Sequence, residues 1–242
     1  MSQTPERPLD PETVCTRVVA RLIEDIDCVQ IAPDSPVWSD LGAEGQRSGE
    51  LRVYRGRGRV QKVVQSCFTL QDRKVDSHSL VVFTHPESPV PHLMLDAIRK
   101  GPRVHLHIDL LPKRDLAVSF SYLDRCYGPL GELRTEIDAD VRFVPEPISL
   151  RQRTMLSPWC ALYTLAPEEL GAAETYIERY VSHWANLLRS TAPELSPAPD
   201  VARRDALHRR MFFSRSLDPV WNSLDQVIGR ESVERILEAL AD

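Results

Sequence analysis

Residues 79–127 read SLVVFTHPESPVPHLMLDAIRKGPRVHLHIDLLPKRDLAVSFSYLDRCY, and the fold turns on how this stretch is read. Ser79–Thr84 is a short β-branched and aromatic run, the composition of a strand. Pro86, Pro89 and Pro91 interrupt it, because proline removes a donor and fixes φ. His92–Ile98 is read as a further strand entering a turn at Gly101-Pro102, and Val104–Leu111 alternates with period two. No helical period separates these runs, so each strand is expected to pair antiparallel with the next.

Working outward, Leu51–Arg55 and Val60–Leu70 are two more strands, with Gly56 and Gly58 between them as a hairpin turn. Residues 29–48 read as loop. Asp10-Pro11-Glu12 starts a helix: an N-cap, a proline at the first helical position and an acid in the first turn. Val14, Val18, Leu22 and Ile26 continue it as an apolar stripe. On the C-terminal side, residues 119–139 are partly helical and Leu156–Leu165 is a strand. Pro167–Arg189 is a strong amphipathic helix, with Leu170, Ala173, Ile177, Tyr180, Trp184 and Leu187 on one face. After the proline-bearing 191–200 segment, Val201–Phe213 and Arg230–Ala241 are helices. The expected fold class is α/β (α+β): a three-layer α/β/α sandwich with a central antiparallel sheet. Residues 11–242 form one domain behind a disordered tail of residues 1–10.

Composition narrows the function. The 242 residues carry a formal charge of -5, against a general nucleic-acid binder. Two basic clusters, Arg52/Arg55/Arg57/Arg59/Lys62 and Arg203/Arg204/Arg209/Arg210, are either solvated faces or a means of recruiting an acidic partner. The five cysteines are odd in number and have no CxxC spacing, which argues against an iron–sulfur centre, a zinc site or a disulfide scaffold. A reducing cytoplasm is the expected compartment. The polar start MSQTPERPLD is not expected to act as a signal peptide, and no apolar run approaches the roughly 20 residues of a membrane span. GxGxxG, P-loop, HExxH and GxSxG motifs are all missing. His105 and His107 share a strand face. Without an obvious third ligand they are read as half-buried or surface histidines rather than metal ligands.

Three ordered blocks carry a resemblance. The run from Pro91 through Asp96 to LLPKRDL and Tyr122, the block Thr154–Cys160 (TMLSPWC), and the segment from Arg203-Arg204-Asp205 through Leu217-Asp218 to Gly229 together resemble red chlorophyll catabolite reductase. That is a branch of the ferredoxin-dependent bilin reductases, whose bilin branch is similar around His85-Pro86-Glu87. The resemblance implies a linear tetrapyrrole substrate, a bilin or chlorophyll catabolite, held between the sheet and the C-terminal helices. It implies reduced ferredoxin as an external electron donor, with no bound metal or flavin.

Such a reductase needs a carboxyl in an apolar cleft to supply protons. Asp96, inside Leu93–Ile98, matches the family's sheet-side acid; otherwise it is an acid capping a helix that begins near Ala97. Asp218, eleven residues before Gly229, matches the helix-side acid; otherwise it caps a helix with Pro219 at its first position. Candidate substrate-binding residues are His92, Gln65, Arg151, Arg153, Trp159, His208 and Phe212. The arginines would grip propionates bidentately; ordinary structural or surface roles are the alternative for each. Three positions depart from the family: Val81 stands in place of a strand histidine, Gln65 in place of a strand glutamate, and Ser216 in place of a second acid. A tetrapyrrole-binding protein without catalysis, and a same-fold enzyme with another substrate, are therefore also open.

Overall fold

The computed structural model describes residues 10–26, 29–30, 39–41, 49–70 and 74–241. In chain order the elements are α1 (Pro11–Ile26), β1 (Val29–Gln30), β2 (Ser39–Leu41), β3 (Gly49–Arg55), β4 (Val60–Leu70), β5 (Val75–Thr84), β6 (His92–Lys100) and β7 (Arg103–Leu111). They continue with α2 (Phe120–Tyr127), α3 (Leu130–Ala139), β8 (Val144–Pro145), α4 (Leu150–Arg153), β9 (Ala161–Leu165) and α5 (Leu170–Arg189). The chain ends with α6 (Pro199–Phe212), α7 (Val220–Ile228) and α8 (Arg230–Ala241). The strands form one antiparallel sheet in the order β1-β3-β4-β5-β6-β7-β9-β8, with β2 also on β3. The consecutive hairpins expected from the sequence are all present, and Gly58 and Gly101 occupy their turns at φ 61 and 59.

Helices cover both faces. On one, α1, α2, α3 and α5 bury Leu80, Val82, Leu93, Leu95, Ala97, Leu106, Ile108 and Leu110. On the other, α6, α7 and α8 pack over β3, β4 and β5 through Val53, Val64, Val81, Phe83, Phe213, Val233 and Ile236. Burial from both sides explains why Leu80–Phe83 is a continuous apolar run. The antiparallel α/β/α expectation is borne out.

Differences from the sequence reading have local causes. Ala97 lies within β6, so no helix begins there. Only residues 161–165 of the Leu156–Leu165 run join the sheet. Ser157 gives its N–H and hydroxyl to Asp109, at 2.9 and 2.5 Å, and turns the chain before the ladder starts. Strands β1, β2 and β8 were not anticipated; strands of two or three residues carry no period to detect. Helix α7 follows Asp218 and Pro219, as the capping alternative for Asp218 expected. Asp10 caps α1 by accepting from Thr13 N–H at 2.8 Å, and the rest of the proposed tail lies outside the described residues.

Candidate functional site

Strand alternation sets up the site. In β6, Leu93, Leu95 and Ala97 point into the core beneath α1 and α5, so Met94, Asp96 and Ile98 point to the opposite face. In β7, His105 and His107 point the same way as Asp96. Helices α6–α8 sit over β3–β5, and these side chains on β6 and β7 remain partly exposed. The result is a partly exposed strip of sheet, called the trough below, that carries a polar row. The register places Ser79 opposite Asp96, and Asp96 opposite His107.

The Ser79 hydroxyl donates to Asp96 Oδ1 in a short hydrogen bond. Asp96 Oδ2 accepts from His107 Nδ1 at 3.0 Å. Their side chains are 16% and 12% exposed, enough to meet a ligand yet shielded from bulk screening. Burial opposes charge on His107, but Cys160 and the Asp96 carboxylate outweigh it and push its pKa well above the ordinary value. Next along β7, Asp109 is fully buried, and burial raises its pKa against His107 and Ser157. The row therefore sets a hydroxyl, a carboxylate and an imidazole side by side on a partly exposed face. The sequence showed the histidine pair but not its partner. Only the sheet register brings Asp96, eleven residues away, against His107.

A second polar group clamps α6 to the sheet. Asp205 accepts from His92 Nε2 at 2.6 Å and pairs with Arg209 at 2.8 Å and Lys113 at 3.3 Å. Thr84 N–H donates to His92 Nδ1 at 3.0 Å, which fixes the tautomer with its proton on Nε2. Arg209 also reaches Thr84 O and Gln61, and Arg204 donates to Pro112 O at 2.6 Å. Two of the sequence blocks that carry the resemblance, LLPKRDL and the Arg203-Arg204-Asp205 segment, thus meet here in three dimensions. His92 and Asp205 are almost completely buried.

Other candidates have different places. His92 lies on the same face of β6 as Asp96 but is buried in the clamp against Asp205. Gln65 lies in register with Leu80, on the opposite face of the sheet from Asp96. Trp159 stacks on Tyr127 at 5.1 Å and packs against that same opposite core. Arg151 is exposed and donates to Ser216 O at 3.0 Å, and Arg153 is exposed. His208 Nε2 donates to Met155 O at 3.0 Å, and the ring stacks on Phe212 with centroids 5.7 Å apart. Asp218 Oδ1 accepts from Val220 N–H at 3.0 Å, the capping role that the local sequence also suggested. Val81 packs in the apolar cluster beneath the C-terminal helices. The acid's histidine partner comes instead from the strand after it, as His107. The basic clusters are partly consumed by structure: Lys62 donates to Ala239 O, while Arg55, Arg57, Arg203 and Arg210 are exposed.

Acidification has a predictable effect on the clamp. Burial, then Lys113, depresses the His92 pKa from 6.5 to about 3, against the pull of Asp205. The unfolded chain therefore takes up a proton near its ordinary pKa, while the folded chain refuses it until about pH 3. Stability must fall as pH drops from about 6.5, by up to ~1.4 kcal/mol per pH unit for one such group. Asp205, its carboxylate held below the usual range despite burial, adds loss in the same direction at lower pH. Urea unfolding at pH 7 and pH 4.5 should show a shallower decline in His92→Gln than in the wild type. An unchanged slope would remove His92 as the source.

A model of the family described as "Red chlorophyll catabolite reductase (RCC reductase)" matches residues 11–191. The chain belongs to the red chlorophyll catabolite reductase family. Within it, red chlorophyll catabolite reductase 1, chloroplastic, of Oryza sativa subsp. japonica is 26% identical over 147 residues. That match covers 57% of this chain and 42% of the rice protein, so the chain spans less than half the length of this curated relative. The fold is similar to that of tomato phytochromobilin synthase, solved in complex with biliverdin. The TM-score is 0.75 at 13% identity, covering 95% of this chain and 83% of the tomato chain. The cytoplasmic expectation does not stand, because the rice member of the family is chloroplastic. Free cysteines mark a reducing compartment and do not distinguish one such compartment from another.

The clamp and trough lie on the α6 side of the sheet. A shallow depression between α3 and α5, lined by Leu130, Leu133, Arg179 and His183, lies among the helices of the opposite face. Among the described residues, no helix is long and apolar enough to cross a membrane.

Proposed function

We propose that this chain reduces a linear tetrapyrrole, a bilin or chlorophyll catabolite, held over the β6–β7 trough beside the C-terminal helices. Reducing one double bond takes two electrons and two protons. Reduced ferredoxin supplies the electrons singly from outside, through no metal or flavin of the chain's own. The exposed Arg55, Arg57, Arg203 and Arg210 give the acidic donor something to approach, which makes turnover salt-sensitive. Protons come from the Asp96 row. The observation that carries the reading is the Ser79–Asp96–His107 row on a part-open sheet face, in a member of this family. Asp218 stands second, as a cap whose carboxylate can turn toward ligand. His208 and Phe212, stacked at α6, supply an aromatic wall.

A second reading, a tetrapyrrole-binding protein, is favoured by Ser216, which replaces an acid near Asp218. One experiment separates the two. Biliverdin is mixed anaerobically with the protein, the visible spectrum is recorded, and ferredoxin with a reducing system is added. A red-shifted complex that loses its long-wavelength band is the expected result. A complex that forms and never bleaches favours the binding protein, and no complex at all removes biliverdin as ligand.

A further inference from the structure

His107 has two ring nitrogens, and the row described above employs one. Nδ1 is engaged by Asp96 Oδ2 at 3.0 Å. With a single proton, on Nδ1, Nε2 presents a lone pair. That atom is buried, and its polar neighbour is the Cys160 thiol.

Two other donor groups converge on the same place. The imidazole of His107, a carboxylate oxygen of Asp109 and Sγ of Cys160 all lie within 4.8 Å of one another. They come from two elements of chain: positions 107 and 109 on one face of β7, and position 160 at the entry to β9, which pairs with β7. Asp109 is fully buried, and its neighbours are the Ser157 N–H and hydroxyl. A carboxylate can accept about four hydrogen bonds, so these two donors leave lone pairs over. They also hold the carboxylate in place.

We propose that His107, Asp109 and Cys160 form a binding site for a zinc-class divalent cation, with Asp96 as the outer carboxylate that orients His107. The donor set decides the class. One imidazole, one carboxylate and one thiol suit a borderline-soft ion, whereas magnesium and calcium take all-oxygen shells. A carboxylate on the far nitrogen of a ligating histidine is the usual outer-shell arrangement, and it fixes the tautomer that exposes Nε2. Three protein ligands leave a fourth position, as zinc sites with an open coordination site do. The site closes by contraction, since zinc holds nitrogen and sulfur at about 2.0–2.3 Å. The binding itself does not depend on the reductase reading. If both hold, a loaded site withdraws Nε2 from proton transfer and the cation acts as an inhibitor.

The test is a titration of the purified chain with Co²⁺, without tetrapyrrole or reductant, so that failure of the reductase reading leaves it unaffected. The expected result is one ion per chain, with a thiolate-to-cobalt charge-transfer band and tetrahedral visible bands, displaced by Zn²⁺. Cys160→Ser, nearly isosteric, should lose the charge-transfer band. Cys67→Ser, at a half-buried thiol on the opposite sheet face, should keep it. His107→Ala should lose at least tenfold in affinity, with its fold checked by circular dichroism. Binding below one ion per chain, or a charge-transfer band that survives Cys160→Ser, overturns the proposal.

Discussion

Asp96→Asn is expected to bind biliverdin with the wild-type spectral shift and to reduce it about 10²–10⁴-fold more slowly, the range for loss of a positioned proton donor. That corresponds to ~3–5 kcal/mol of transition-state stabilisation. The physical basis is a change of chemistry at constant shape. An amide oxygen can still accept from the Ser79 hydroxyl, but the amide carries no transferable proton. Its NH₂ can only donate, so His107 keeps the contact only by shifting its proton from Nδ1 to Nε2. Asp96 is partly open and has no place in the clamp, so the thermal midpoint should move by only a few degrees. Single-turnover bleaching after ferredoxin addition is the measurement. A rate within threefold of wild type would remove Asp96 from proton delivery.

Asp205→Asn is expected to destabilise the fold by ~3–5 kcal/mol, the cost of breaking a buried ion pair from one side. The carboxylate faces three donors at once: His92 Nε2–H, the Lys113 ammonium and the Arg209 guanidinium. Neutralising it leaves two buried cations facing each other. Burial already lowers the Lys113 pKa to about 8 against the pull of Asp205. Total stabilities are about 5–15 kcal/mol, so such a loss threatens folding itself. Adding Lys113→Met to Asp205→Asn removes one orphaned charge and should recover part of the loss in urea unfolding. A double variant no more stable than Asp205→Asn would show that the cations are not coupled through this carboxylate. Because α6 bounds the trough, the clamp's failure should also loosen ligand binding, a link between stability and site that Asp96→Asn does not share.

The hairpins from Leu51 to Leu111 were legible because the strands are short alternating or β-branched runs and three of their four connections carry glycine or proline. The amphipathic faces of α1, α5 and α8 were legible from their own period. Asp96 was singled out by its match to the family's blocks, and the alternation of β6 explains why it faces the trough: Leu93, Leu95 and Ala97 claim the core on the other side.

What no local pattern encodes is which distant residues become neighbours. His107 reads as one half of an HxH pair until the β6–β7 register sets it opposite Asp96. His92 reads as a polar group beside a catalytic acid until α6, 113 positions later, delivers Asp205 to its ring. Gln65 and Trp159 read as lining residues until the sheet puts them on the far face. Period and propensity are set by residues within a turn or two of one another, and the sequence alone determined the strands, the main helices and the family. Ion pairs, faces and registers depend on which layers close over the sheet, so the partners of Asp96, the clamp on Asp205 and the openness of the trough were decided only by tertiary packing.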